Sequence, residues 1–274
     1  MRTPTDIGYS WSGVSDDHSE IRAELSVPGA NPIDVSVDAL GVDLEVTMND
    51  IPMASSRDER IRFARDRTAL ETRARIDHDL IPRWWASHVA NGEQTSITIQ
   101  PVVTVDGILG SFSLGVPGRT HDVETDIPGA IAVEDGPSKE VMGKTIVSLD
   151  EVTARWVDVD LETTEMAIAA QITNGTAVPL PFDELRYEIR MNGVTVGEGR
   201  SRDTTIEGHG TTRVDTRAAF DNETIREWWP THLRRDERTD VTVDLVATVG
   251  IFGQQRTVDH RYEDSFETDL LQTR

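Results

Sequence analysis

Two adjacent tryptophans followed by a histidine occur twice in this chain, and this repetition constrains the fold more than any other feature. Trp84-Trp85-Ala86-Ser87-His88 returns 144 positions later as Trp228-Trp229-Pro230-Thr231-His232. The alignment extends to other segments: Trp11 with Trp156, Leu70-Glu71-Thr72-Arg73-Ala74 with Val214-Asp215-Thr216-Arg217-Ala218, and Glu124-Thr125-Asp126 with Glu267-Thr268-Asp269. All six tryptophans fall into three matched pairs, which predicts two copies of one structural unit.

The segment between the copies, Pro128 to Lys139, is rich in turn-forming residues and has no apolar periodicity. We therefore expect a first unit over residues 1–128, a linker over 129–139 and a second unit over 140–274. Each unit is long enough to bury a core of its own. The chain has no cysteine, which excludes a disulfide framework, a thiolate metal site and a cysteine nucleophile.

The charge balance is strongly acidic, with 49 acidic against 27 basic residues and a formal net charge of −22. Such a surface repels itself in dilute buffer, whereas at molar salt the Debye length is only ~3 Å. The composition indicates a protein adapted to a salt-rich cytoplasm, as in haloarchaea. It argues against binding to nucleic acid or to an anionic membrane surface, because both need clustered cations.

The first residues, Met1 to Asp6, contain no apolar signal-peptide segment, and no stretch of the chain approaches the ~20 apolar residues of a membrane span. We therefore expect a soluble, cytoplasmic protein without an integral membrane segment.

Apolar residues alternate with polar ones over much of each unit, which predicts half-buried antiparallel strands. Ile21, Ala23, Leu25 and Val27 form one such series, and Val42, Leu44, Val46 and Met48 form another. Asn192-Gly193 between two strand-like runs favours a type I′ hairpin. Asn49-Asp50 should form the same hairpin less favourably, because it has no glycine for the positive φ values of this turn. A further turn is predicted over Ile206–Thr211, whose partner Ile61–Asp66 has lost the glycines.

One segment per unit has helical periodicity. Its apolar face holds Ile81, Trp84, Trp85, His88 and Val89 in the first unit and Ile225, Trp228, Trp229, His232 and Leu233 in the second. Asp79 is the expected N-cap, with Pro82 in the first turn. Pro230 lies inside the pattern and predicts a kinked or shortened second helix. Together, the predicted strands and helices indicate two immunoglobulin-like antiparallel β-sandwiches, each with one short helix in a late crossover.

Each unit resembles the type 2 late-embryogenesis-abundant domain, also called the water-stress and hypersensitive-response (WHy) domain. The resemblance rests on Asn31-Pro32-Ile33-Asp34-Val35 and Asn174-Gly175-Thr176-Ala177-Val178-Pro179-Leu180, on the hairpin Tyr187–Val194, and on the helix before the closing strands. The second copy matches better. The resemblance implies an immunoglobulin-like sandwich, a role in stress tolerance, and no catalytic residues to transfer.

The tryptophan–histidine face is the sharpest candidate for chemistry. It could form an aromatic platform for sugars or an imidazole ligand or base. The alternative, which we favour, is that the rings pack against the open end of the sandwich and that the histidine bonds a backbone carbonyl rather than a metal. Neither unit has a carboxylate or second histidine at ligand spacing around it.

Three other segments have a functional and a structural interpretation. Gly8-Tyr9-Ser10-Trp11-Ser12-Gly13 superficially resembles a hydrolase nucleophile elbow, but Ser12 stands where glycine is required. The arginine-dense Arg57–Arg67 could contact an acidic partner or lipid headgroups, or it could be a charge-guarded edge strand. The glycosylation-like triplets Asn174-Gly175-Thr176 and Asn222-Glu223-Thr224 are interpreted as a turn and a helix start.

The sequence therefore predicts a non-enzymatic stress-response protein with no catalytic, cofactor-binding or metal-binding residues. Its expected partners are protein or membrane clients, and it is expected to be a monomer or weak oligomer. A specific interaction module using sandwich edges is the alternative, and an enzyme with an interdomain site is the least favoured.

Overall fold

The alternating segments form long antiparallel strands in a computed structural model of the chain. The structure describes residues 6–28, 39–63, 67–107, 110–115, 117–141, 144–251 and 254–272. The Asn31-Pro32 element, one half of the family resemblance, lies outside these residues.

The first half of the chain contains eight strands and one α-helix within the described residues. These are β1 (Asp6–Val14), β2 (His18–Pro28), β3 (Ala39–Met48), β4 (Ile51–Phe63), β5 (Arg67–Asp77), α1 (Ile81–Ala90), β6 (Gln94–Gly107), β7 (Gly110–Gly115) and β8 (Arg119–Glu124). A single 3₁₀ turn, His78–Leu80, leads directly into α1.

The second half repeats this order after a short helix and two short strands. Its elements are α2 (Ile127–Ile131), β9 (Val133–Glu134), β10 (Ser138–Val141), β11 (Lys144–Val159), β12 (Thr163–Asn174), β13 (Leu180–Met191), β14 (Val194–Ile206), β15 (Thr211–Asp221), α3 (Asn222–Leu233), β16 (Arg238–Ile251) and β17 (Gln254–Glu267).

The chain divides into two compact units whose bounds differ from those expected from the repeat. Unit 1 comprises Met1–Glu124 together with Thr268–Arg274, and unit 2 comprises Thr125–Glu267. The segment 129–139, expected to be a linker, contains the end of α2 and the strands β9 and β10, and both strands pair with β11. Pro128 and Gly129 lie inside α2 because Asp126 caps this helix by accepting a hydrogen bond from the Gly129 amide, at 2.8 Å.

Both units have the same strand order. The sheet of unit 1 runs β1-β2-β5-β4-β3-β6-β7, with β8 also paired to β6. The sheet of unit 2 runs β10-β11-β12-β15-β14-β13-β16-β17. Each sheet curls on itself, and the fold class expected from the sequence, two β-sandwich-like units with few short helices, is confirmed.

The sheet of unit 2 folds over where β14 meets β15, because these strands pair only from Gly197 to Gly199. Beyond this corner they diverge and enclose the core. A Cβ at Gly199 would lie 2.1 Å from the Tyr187 hydroxyl oxygen and 2.4 Å from the Arg217 carbonyl oxygen, so the corner requires glycine. The enclosed core comprises Ala170, Ile172, Leu180, Phe182, Leu185, Ile206, Val214, Ala247 and Val249.

The predicted hairpins are present. Asn192 and Gly193 have φ values of 50° and 85°, the positive values that a type I′ turn requires. In unit 1, Asn49 and Asp50 adopt φ values of 50° and 61° without the help of a glycine. The turn predicted over Ile206–Thr211 joins β14 to β15, whereas residues 64–66 of its unit 1 partner lie outside the described residues.

The N-cap predicted for α1 and the shortening predicted for α3 are wrong. Asp79 does not cap α1: Asp77 caps the preceding 3₁₀ turn by accepting from the Asp79 amide, and Pro82 lies in the first turn of α1 as expected. The helix α3 is not shortened, since it has 12 residues against 10 in α1. Pro230 is tolerated because it falls in the last turn, where its ring removes one backbone hydrogen bond.

Among the described helices, none is long and apolar enough to cross a membrane.

Candidate functional site

The tryptophan–histidine face of each helix is turned into its own unit. Trp84 and Trp85 are 4% and 1% exposed, and Trp228 and Trp229 are 3% and 0% exposed. The helix α1 packs against β6, and α3 packs against β14, β15 and β16. The rings are therefore closed to solvent, as the packing interpretation of the sequence requires, and they offer no open platform for a sugar.

A buried threonine at the start of the following strand holds the polar atoms of this face. In unit 1 the indole Nε1 of Trp84 donates to the Thr95 hydroxyl at 3.0 Å, and His88 Nδ1 lies 2.8 Å from the same oxygen. An indole N–H can only donate, so the hydroxyl accepts from Trp84. The same hydroxyl is the hydrogen-bond partner of His88 Nδ1.

The remaining ring nitrogen of the histidine is also satisfied within the fold. His88 also has a hydrogen bond with the backbone of Gln94. Burial lowers the pKa of His88 to about 4, and the bond to the Gln94 backbone only partly offsets that effect. The imidazole is consequently neutral at ordinary pH, with both nitrogens engaged.

Unit 2 reproduces the arrangement atom for atom. Trp228 Nε1 donates to the Thr239 hydroxyl at 2.9 Å, and His232 Nδ1 lies 2.8 Å from that oxygen. Burial likewise lowers the pKa of His232 to about 4, against a hydrogen bond with the Arg238 backbone. Thr95 and Thr239 are 1% and 0% exposed. We call each set of tryptophan, threonine and histidine a Trp–Thr–His triad.

The chemistry open to a triad is limited by its closure. The histidine is neither exposed nor charged, and its Nδ1 already has the threonine hydroxyl as a hydrogen-bond partner. Among the described residues, no three His, Cys, Asp or Glu side chains are grouped so that they could hold a metal ion. The geometry suits fixation of the helix on the sheet.

A second buried polar residue lies at the start of each helix and holds the loop between the first two strands of its unit. In unit 2, Asn222 donates to the Asp160 carbonyl at 2.9 Å and accepts from Thr164 at 2.8 Å. In unit 1 the equivalent His78 bonds the Asp16 carbonyl through Nδ1 at 3.1 Å, and burial lowers the pKa of His78. The triplet Asn222-Glu223-Thr224 is thus a helix start, as the sequence indicates.

The structure separates the other sequence candidates from one another. Gly8–Gly13 lies within β1, which is continuous strand rather than a strand-to-helix elbow. The side chains of Arg57–Arg67 lie outside the described residues; the backbone to Phe63 belongs to β4. Asn174 is 0% exposed and donates to the carbonyls of Val178, Ile206 and Glu207, so its amide is internal.

Sequence reasoning missed the two threonines and the carboxyl-terminal residues of unit 1. Thr95 and Thr239 follow Trp84 and Trp228 by the same 11 positions, a spacing that the repeat alignment contains but hydrophobic periodicity does not reveal. Leu270 and Leu271, 2% and 1% exposed, form part of unit 1. The signal in the sequence that could have indicated their burial is that both are large apolar residues.

The family described as Late embryogenesis abundant protein (LEA_2) has a model that matches residues 169–261. A crystal structure of a protein from Archaeoglobus fulgidus is similar at 31% identity over 45% of this chain and 100% of that chain, with a TM-score of 0.42. A solution structure of an Arabidopsis thaliana protein is similar at 14% identity over 47% of this chain and 87% of that one, with a TM-score of 0.37. Among curated proteins, none matches the chain.

The matched residues run from the middle of β12 to the middle of β17 and include α3 and the second triad. Residues 169–261 of unit 2 therefore match the family described as Late embryogenesis abundant protein (LEA_2).

Proposed function

We propose that this chain is a non-enzymatic protein of water-stress tolerance that protects other proteins or membranes when water is lost. The LEA_2 match supports this for unit 2. Unit 1 has the same strand order and its own Trp–Thr–His triad, which supports its being a diverged copy of the same domain.

The observation that carries the proposal is the position of the triads. The constellation of aromatic and ionisable side chains that recurs in both units, the Trp–Thr–His triad, is closed, neutral and used in packing. What the protein presents to its surroundings is instead its charged surface. Protection by such a surface needs a stable fold and hydrated carboxylates rather than a reactive centre.

The charges of unit 2 are partly arranged in networks. Arg190 donates to Glu188 at 2.6 Å and also pairs with Asp244, which Arg261 contacts through two nitrogens at 2.6 and 3.0 Å. These arginines lower the pKa of Asp244. Since acidic residues exceed basic ones by 22, many carboxylates have no cationic partner and remain hydrated. A salt-rich cytoplasm would screen their mutual repulsion.

A specific interaction module remains the second candidate, with the sheet edges as its surface. The strand β17 lies at the end of the sheet path of unit 2. Its exposed residues include Arg256, Asp259, Arg261 and Glu263. Charged side chains along an edge discourage strand addition by another chain, so this edge supports the second candidate less well than the first.

Drying a dehydration-sensitive reporter enzyme with the full chain tests the proposal. We expect the chain to preserve reporter activity better than an equal mass of a folded protein of small net charge. A variant in which six exposed carboxylates are converted to amides should preserve less reporter activity than the parent. The six positions are Asp43, Glu45, Asp50, Glu198, Glu207 and Asp259. The matched control exchanges aspartate and glutamate at the same positions and should preserve as much as the parent.

Equal protection by the amide variant and the parent would show that the carboxylates are not responsible. Protection no better than that of the reference protein would overturn the proposal. Recovery of one stoichiometric partner from a high-salt lysate would favour the interaction module instead, and turnover abolished by one histidine or carboxylate change would revive an enzyme.

A further inference from the structure

A groove of about 320 Å³ lies on the outer face of unit 2, on the three strands β11, β12 and β15. Ala167 and Ala169 form its floor on the middle strand. Thr153 and Arg155 line it from β11, and Arg213 and Arg217 line it from β15. Asp215 also lines the groove, so its lining has three arginines against one carboxylate and is positively charged in a chain of net charge −22.

The register of the sheet sets the width of the groove. Arg155, Ala167 and Arg217 occupy one row across the three strands. Neighbouring strands are about 4.8 Å apart, so the Cα atoms of the two arginines are about 10 Å apart, with one alanine methyl between them. Two guanidinium groups thus flank a shallow floor of alanine side chains that carry no charge.

The arginines are available to a ligand. All three are exposed, and Arg155 makes no hydrogen bond or ion pair within the part of the chain that the structure describes. Arg217 pairs with Glu165 at 2.7 Å and Arg213 pairs with Asp215 at 2.9 Å. Exposed pairs of this kind contribute little stability, and an incoming anion can replace the carboxylate at small cost.

Unit 1 shows the same scaffold with the groove filled. The repeat places Arg22 and Glu24 where unit 2 has Ala167 and Ala169, and they lie in the corresponding rows with Arg73 and Glu71. Arg22 pairs with both Glu24 and Glu71, and Arg73 also pairs with Glu71. The middle strand of unit 1 therefore supplies both Arg22 and Glu24 to these ion pairs, whereas in unit 2 it supplies only Glu165 to Arg217 and leaves Arg155 to an external group.

We infer that this groove binds a small organic dianion with two separated carboxylates, one on Arg155 and the other on Arg217. Guanidinium groups bind carboxylates through paired N–H donors, which fixes the orientation as well as the charge of the ligand. A volume of about 320 Å³ lies at the lower end of small-molecule sites. The distance between the arginines favours two anionic ends over a single one. This inference is independent of the protective function proposed above.

Titration of the ¹⁵N-labelled full chain with glutarate at constant ionic strength tests the site. We expect saturable shifts at Arg155, Ala167 and Arg217, with a dissociation constant in the millimolar range because the site is exposed. Arg155→Gln and Arg217→Gln should each weaken binding at least about tenfold. The double variant Ala167→Arg/Ala169→Glu copies the side chains of unit 1 at these two positions without altering net charge, and it should abolish binding.

Arg186→Gln on β13 is the matched control, since Arg186 is 62% exposed and pairs with Glu184 as the groove arginines pair with their neighbours. It should bind glutarate like the parent. Unchanged melting temperatures separate loss of the site from loss of the fold. Absence of saturable shifts, equal binding by the groove variants, or binding of acetate or inorganic phosphate as tight as that of glutarate would overturn the inference. Tighter binding of an acidic peptide with shifts beyond the groove would do the same.

Discussion

His121 Nε2 in β8 lies 3.0 Å from the carbonyl oxygen of Leu270, a residue 149 positions further along the chain. Arg119 Nη1 approaches the Leu271 carbonyl at 3.4 Å. Unit 1 is therefore completed by residues that follow the last strand of unit 2, just as unit 2 begins with Thr125, directly after the last strand of unit 1. The repeat aligns these two segments, Thr125-Asp126-Ile127 with Thr268-Asp269-Leu270.

Removal of the carboxyl-terminal apolar residues should therefore destabilise unit 1, although they adjoin unit 2 in sequence. Leu270→Ala and Leu271→Ala should each cost about 2–5 kcal/mol, as expected for large buried side chains. Hydrogen exchange followed by mass spectrometry should show faster exchange in β6 and β8 while α3 keeps its protection. Gln272→Ala, at an exposed position, serves as the control. Faster exchange confined to unit 2 would contradict the assignment.

The threonine of each triad should matter through its hydroxyl rather than its shape. Thr95→Val or Thr239→Val keeps the volume but leaves an indole N–H and an imidazole nitrogen without their buried partner. Each such group costs about 1–3 kcal/mol, so we expect a loss of about 2–6 kcal/mol in the free energy of unfolding. Chemical denaturation of the Val variants and of the matching Thr→Ser variants checks this. Serine should recover most of the stability, and equal loss with serine would point to packing instead.

The buried histidines should make stability fall in mild acid. Their pKa is about 4 in the folded chain, below the ordinary value of 6.5, so the unfolded chain binds more protons between these limits. Stability should be complete above pH 6.5 and decline as the pH falls to about 4, by on the order of 3 kcal/mol for each triad. Melting curves of the parent and of His88→Gln/His232→Gln, recorded from pH 7 to pH 4, should converge as the pH falls. Parallel curves would show that the histidines do not cause the decline.

Much of the fold could be predicted because its signals are local and occur twice. Alternation of apolar residues along β2 and β3, the positive φ of Asn192-Gly193 and the helical spacing of Trp84, Trp85 and His88 each depend on near neighbours. Comparison of the two copies then distinguished the residues that both units use in packing from the residues that differ between the units. This explains why the packing interpretation of the tryptophan face agrees with the structure.

The errors arose where tertiary structure decides between local alternatives. Pro230 breaks the helical pattern in sequence, but the burial of Trp229 and Leu233 keeps its turn helical. Asp79 and Asp77 are both acceptable caps, and the extended backbone of Asp77 determines which one acts. The candidate groove was not predicted because it depends on the register of three strands. Only that register places Arg155 and Arg217 in one row.

Asn174 provides a test of the loop that joins β12 to β13. Its amide nitrogen donates to the Val178 and Ile206 carbonyls at 2.8 and 3.1 Å, and its amide oxygen accepts from the Thr176 backbone at 2.9 Å. Asn174→Asp keeps the shape but removes the donor and places a carboxylate against carbonyl oxygens. We expect a loss of about 2–4 kcal/mol at neutral pH. Because burial and the carbonyls raise the pKa of such a carboxyl, its protonation should recover part of the loss in acid. Unfolding measured at pH 7 and pH 5, with Gln272→Glu as an exposed amide-to-carboxylate control, checks both effects; a loss equal at both pH values would contradict the assigned role of the amide group.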